Sequence, residues 1–254
     1  MLEMIRRFCI ARFVLSTTMS LALIGVPSAF AQGSPVIDAI VQAHGAALLP
    51  PISVQMVGTV ERDNKPEPFR LIATRDEQRR IEYGSEGKDT VVSSQKGNFS
   101  DDGQKSTYSK VPSGFSQLDI TGLFLIQQLR NRAIRVEQKP ESVTVSGIPA
   151  RWLRVEGERT QLHSAKNIVK DQFDAYVSAE NGLLLAIARS FYEGRPERYT
   201  LTVTFSDYRK TQEVLLPYRI EVYLKGKKTQ TYVVQSYQFD AEASRDQFMA
   251  RRSK

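Results

Sequence analysis

The chain has 254 residues, 41% of them hydrophobic and 25% charged, with a formal net charge of +7. That hydrophobic share supports a folded core and excludes a disordered polyelectrolyte. The basic residues are interleaved with acids rather than gathered on a helix or among aromatics, so a nucleic-acid partner is not expected and the charge reads as solvated surface.

The first segment has the three parts of a secretory leader. Arg6, Arg7 and Arg12 form a positive start, Phe13–Val26 is apolar, and Ala29-Phe30-Ala31 is a small-x-small cleavage pattern, with cleavage expected between Ala31 and Gln32. The apolar run is 14 residues long and is interrupted by Ser16, Thr17, Thr18 and Ser20. A membrane span needs roughly 20 apolar residues. The expected organisation is therefore a signal peptide over 1–31 and one domain over 32–254, in the periplasm or secreted. Arg6-Arg7 leaves both the general and the twin-arginine export routes open. Cys9 is the only cysteine and lies in the leader, so the exported part has neither a disulfide nor a thiolate site.

A helix is expected over Pro35–Gly45, with Val36, Ile37, Ile40 and Val41 on one face, Ser34 as N-cap and Gly45 as terminator. From Ile52 the period changes to two. Strands are expected at Ile52–Arg62, Phe69–Thr74, Arg79–Tyr83, Asp89–Gln95, Asn98–Ser100 and Tyr108–Val111, with turns at Asp63-Asn64-Lys65 and Asp101-Asp102-Gly103. Asp119–Asn131 interrupts them as an apolar helix carrying Leu123, Phe124, Ile126 and Leu129. Strands resume at Ile134–Gln138, Ser142–Val145 and Arg151–Glu156. Glu158–Lys170 reads as a polar loop. Asp171–Ser178 and Leu183–Tyr192 form a hairpin through Glu180-Asn181-Gly182. Tyr199–Ser206 alternates most cleanly, with Leu201, Val203 and Phe205 facing one way and Thr200, Thr202 and Thr204 the other. Tyr218–Leu224 repeats the pattern with Ile220 and Val222. A turn at Gly226-Lys227-Lys228 leads into Thr229–Phe239, and Ala243–Met249 is a short helical segment.

About ten or eleven strands in one antiparallel sheet must curl, split or close. The expected fold is mainly β, within the α+β class: a strongly curved half-barrel with a helical lid or plug.

Catalytic and metal chemistry finds no footing. His44 and His163 are far apart, and Asp101-Asp102 sit in turn chemistry. No metal-protease, nucleophile-elbow or phosphate-loop motif occurs. The expectation is no enzyme and no cofactor.

Several stretches resemble the family of outer-membrane lipoprotein-sorting proteins, periplasmic carriers and chaperones of the half-barrel superfamily. They are Asp174–Leu183 with its acidic-Asn-Gly hairpin, Thr204–Arg209, Leu216-Pro217-Tyr218 opening a strand, Gln235–Asp240, and Ala43–Leu49 at the helix-to-strand junction. A double glycine is common at that junction in the family; here Ala46 follows Gly45. The matching motifs mark turns and strand starts, not a reaction centre. The resemblance implies a cell-envelope transport protein that shelters an acyl-chain lipid or lipoprotein in an apolar cavity, acting as a monomer. It equally admits an envelope sensory or protein-interaction module with a membrane-protein partner. The candidate lid is Leu123, Phe124, Ile126 and Leu129. The candidate wall is Trp152, Phe191, Leu201, Val203, Phe205, Ile220 and Val222, with Trp152 placed at the mouth because indole is amphipathic.

Overall fold

Short left-handed turns fix the register of the sheet. Asp63 and Asn64 both have positive φ, at 50° and 61°, and Lys225 and Gly226 repeat this at 53° and 77°. Two successive residues of that kind make the mirror-image turn whose twist matches paired strands. The first turn joins β1 (Ser53–Arg62) to β2 (Lys65–Thr74), and Arg62 pairs directly with Lys65. The computed structural model describes residues 35–45, 53–74, 78–85, 89–94, 97–101, 106–109, 122, 135–160, 168–192, 198–241 and 248. The chain divides into two compact units, 1–32 and 33–254, and all of these residues belong to the second.

After helix α1 (Pro35–Ala43) and the first two strands come β3 (Arg79–Tyr83), β4 (Asp89–Ser94), β5 (Gly97–Asp101), β6 (Ser106–Ser109), β7 (Arg135–Val145), β8 (Ile148–Thr160), β9 (Ile168–Ser178), β10 (Leu184–Tyr192), β11 (Arg198–Thr211), β12 (Val214–Leu224) and β13 (Lys227–Phe239). They form one antiparallel, 13-stranded sheet in the order β6-β5-β4-β3-β2-β1-β13-β12-β11-β10-β9-β8-β7. Every neighbour is consecutive in sequence except β1 and β13, which pair from Val54–Phe239 to Arg62–Gln230. The sheet is thus a meander joined at its chain ends and open between β6 and β7. The fold is mainly β, a curved half-barrel.

The strand count exceeds the expected ten or eleven. The polar segment expected as a loop, Glu158–Lys170, begins and ends in strand: β8 and β9 pair as far as Thr160–Ile168, with Glu158 opposite Lys170. The two short strands expected at 134–145 are one, β7, with a register shift between Gln138 and Ser142. The last turn is centred on Lys225-Gly226, one residue earlier than expected. The helix expected over Asp119–Asn131 cannot run unbroken, because Gly122 has a φ of 67°, outside the right-handed helical region. Gly122 apart, that helix, like the leader, His163 and, Phe248 apart, the expected C-terminal helix, lies outside the described residues.

One face of the sheet carries the core. Val54, Met56 and Val60 of β1, Phe69 and Leu71 of β2, Leu153 and Val155 of β8, Ile187 of β10, and the alternating residues of β11, β12 and β13 join one buried cluster with Ile40 and Val41 of α1. Val36 and Ile37 pack against it, so the expected helix face is the one used.

Candidate functional site

The inner face has two ends of different chemistry. At the first, α1 is bolted to the sheet by His44, which is almost fully buried. Leu184 N–H donates to His44 Nε2 at 3.3 Å, so the ring proton sits on Nδ1 and is donated to Ile40 O at 2.8 Å. Burial holds the imidazole below its ordinary pKa, with the Ile40 carbonyl opposing. Tyr208 meets the ring edge-on at 5.6 Å, and its hydroxyl donates to Leu184 O. The backbone joins in: Leu215 N–H donates to His44 O at 3.1 Å. Gly45 follows with a φ of 66°, and a Cβ there would lie 2.1 Å from Glu213 O. Within the Ala43–Gly45 part of the junction His44 is therefore structural, docking α1 on the sheet, and Gly45 is required by both its dihedral and its neighbour.

At the other end the strands finish in polar groups. Arg62 Nε bonds Glu67 Oε1 at 2.6 Å, and its Nη2 lies 2.8 Å from Asp89 Oδ2. The guanidinium lies 3.8 Å above the Tyr83 ring. Tyr232 O–H donates to Gln230 Oε1 at 2.8 Å, which leaves Tyr83 as the donor in the 3.0 Å contact between the two hydroxyls. Burial raises the pKa of both tyrosines, so both are neutral donors. Phe69 then meets Tyr232 edge-on at 5.0 Å, and the aliphatic core begins.

Between the two ends lie most of the candidate wall residues. Leu201, Val203, Phe205, Ile220 and Val222 share the inner cluster and are each 3% exposed or less. At these positions the inner face is closed off from solvent. Phe191 pairs with Tyr199 along the backbone; its side chain lies outside the described residues, as do the candidate lid residues Leu123, Phe124, Ile126 and Leu129. One residue of that segment is described. Gly122 is buried, and a Cβ on it would meet Leu184 Cδ2 at 3.2 Å and the Phe205 ring at 3.5 Å. The connection between the two free edges thus touches the inner face at Leu184 and Phe205.

Trp152 is elsewhere. It alternates with Leu153 and Val155, which belong to the core, so it projects from the outer face. There it stacks on Tyr176 at 6.3 Å, with Arg154 5.6 Å above it and bonded in turn to Asp174. The indole N–H is buried without a hydrogen-bond partner. A cavity of ≈ 200 Å³ also lies on this outer face, floored by Ala188 and edged by Arg154, Gln172, Asp174 and Ser190. Its lining is mainly polar, and Phe173 and Arg189 complete it.

Among the described residues no helix is long and apolar enough to cross a membrane, and no three His, Cys, Asp or Glu residues are placed to hold a metal ion. The rim network escaped sequence reading because Tyr83 and Tyr232 are 149 residues apart. The signal for His44 was present in the junction motif but not in its chemistry.

No family model matches the sequence, and no curated protein matches it. Solved structures do. A LolA superfamily protein from Nitrosomonas europaea superposes with a TM-score of 0.50 at 8% identity, over 84% of this chain and 97% of that one. A DUF1329 family protein from Desulfovibrio piger gives 0.45 at 13% identity, over 84% and 95%. LprF from Mycobacterium bovis gives 0.30 at 12%, over 69% and 93%. At such identities the likeness is one of fold, and the fold is LolA-like.

Proposed function

We propose that the protein is an exported carrier that holds the acyl chains of a lipid or lipoprotein against the inner face of its half-barrel. The observation that supports this most is the open edge between β6 and β7. The wall residues on the inner face are apolar and closed off from solvent, so widening of the curl would admit an acyl chain. In a closed barrel, widening breaks a strand ladder. In this sheet β6 and β7 share no ladder, so unrolling costs buried contacts but no strand pairing. The leader-like first 31 residues place the carrier where acyl chains have to cross water between membranes.

Native mass spectrometry of gently purified protein tests the reading. Acyl ligand retained from the cell, or taken up when lipid is offered, supports it. Bare protein mass under both conditions counts against it, and a single stoichiometric protein partner without lipid favours an envelope interaction module instead.

A further inference from the structure

We infer that the polar end of the inner face is a headgroup site for a zwitterionic amphiphile, one carrying an amine and a phosphate, entering acyl chains first. This rests on the carrier reading and adds the ligand class and the residues that select it.

The argument is the order of groups along the strands. Arg62, Glu67 and Asp89 are outermost, with side chains 26%, 29% and 33% exposed. Behind them lie the hydroxyls of Tyr83 and Tyr232, both buried. Phe69 follows, packed edge-on against Tyr232, then Leu71 and Met56, which face each other across β1 and β2 and are fully buried. Charge, hydroxyl, aromatic ring and aliphatic side chain therefore succeed one another from solvent inward. A diacyl lipid has the same sequence: charged headgroup, ester linkage, chain. A network that served only to end the sheet would have no need to project from the inner face, where charges are held beside apolar side chains at a desolvation cost.

Charge balance then narrows the class. Arg62 and Lys65, which pair across the first hairpin on this face, supply two positive charges. Glu67 and Asp89 supply two negative ones, and both contact Arg62. A net-anionic headgroup would gain little from this set, because its two carboxylates equal its two cations in number and both lie on Arg62. A zwitterion can exchange both partners at once, its amine replacing the guanidinium beside a carboxylate and its phosphate taking the bidentate face of Arg62. The ester carbonyls would then reach the tyrosine hydroxyls. At the opposite end α1 covers the face with Ile40, Val41 and neutral His44.

The test titrates the full protein with three short-chain probes of equal acyl length: a phosphatidylethanolamine, a phosphatidylglycerol and a free fatty acid. Binding is read by native mass spectrometry and calorimetry. The expected result is about tenfold tighter binding of the phosphatidylethanolamine than of the other two, the equivalent of about 1.4 kcal/mol. Arg62→Gln should erase that preference, bringing the phosphatidylethanolamine down to the affinity of the phosphatidylglycerol. Glu67→Gln with Asp89→Asn should shift the preference toward the phosphatidylglycerol. Equal affinity of the wild-type protein for all three probes overturns the inference and leaves the carrier reading intact. Binding of none of them overturns both. The wild-type comparison stands without any variant, so a variant that fails to fold does not rescue the claim.

Discussion

Replacing His44 removes a group that holds two elements together, and the cost follows from the two bonds. In His44→Phe an aromatic ring, somewhat larger, is kept and both nitrogens are lost. Leu184 N–H is then left buried without its acceptor, which costs about 1–3 kcal/mol. The Nδ1–H bond to Ile40 O adds about 0.5–1.5 kcal/mol, toward the low end because that carbonyl also receives His44 N–H at 3.2 Å. The sum is a loss of about 2–4 kcal/mol, a large share of the 5–15 kcal/mol of an ordinary domain. Urea unfolding followed by far-ultraviolet circular dichroism measures it. The same site sets a pH dependence. The folded pKa lies below the ordinary value near 6.5, so the unfolded chain binds the proton more readily. Stability from this group is complete above about pH 6.5 and is lost as the pH falls from there toward the folded pKa, at up to about 1.4 kcal/mol per pH unit. His44→Gln, which keeps an acceptor and a donor but does not titrate, should lose that slope relative to wild type. A His44→Phe protein within about 0.5 kcal/mol of wild type, or equal slopes for wild type and His44→Gln between pH 7 and 5, would refute the assignment.

Two further substitutions probe other parts of the frame. Gly45→Ala should destabilise the protein by about 2–4 kcal/mol, since a left-handed residue with a Cβ costs about 1–2 kcal/mol and the added methyl would overlap Glu213 O; thermal unfolding reads the loss, and a neutral result would show that α1 docks differently. Trp152→Phe should stay within about 1 kcal/mol of wild type, because shedding an unpartnered buried N–H offsets the smaller ring, whereas a cost of 3 kcal/mol or more would place Trp152 in the core. As the single tryptophan, Trp152 should also keep its emission maximum when acyl ligand binds, and a blue shift on binding would contradict its outward placement.

Much of the frame was legible because the governing interactions are local. The alternation of Tyr199–Ser206 reports a sheet with one wet face, and Leu201, Val203 and Phe205 do lie inward. The Asp63-Asn64 turn announced its hairpin. Trp152 was misplaced although the signal was present: Arg151-Trp152-Leu153-Arg154-Val155 alternates, and its parity with Arg154 points Trp152 outward. Preference for an amphipathic ring at a mouth overrode the pleat. Glu158–Lys170 hid its strand ends because three residues at each end are too few to show a period, and only the ladder from Glu158–Lys170 to Thr160–Ile168 reveals them. The Arg62, Tyr83 and Tyr232 network had no sequence signature, since its members meet only when β3, β2, β1 and β13 are laid in that order in one curved sheet.

The central claim is that acyl chains lie against the inner face, and photo-crosslinking with a diazirine-bearing acyl probe tests it most directly. Peptide mapping of the labelled protein should place the adducts on Leu201, Val203, Phe205, Ile220 and Val222. Adducts confined to the outer-face residues Trp152, Tyr176 and Thr202, or no specific adducts at saturating probe, would contradict it.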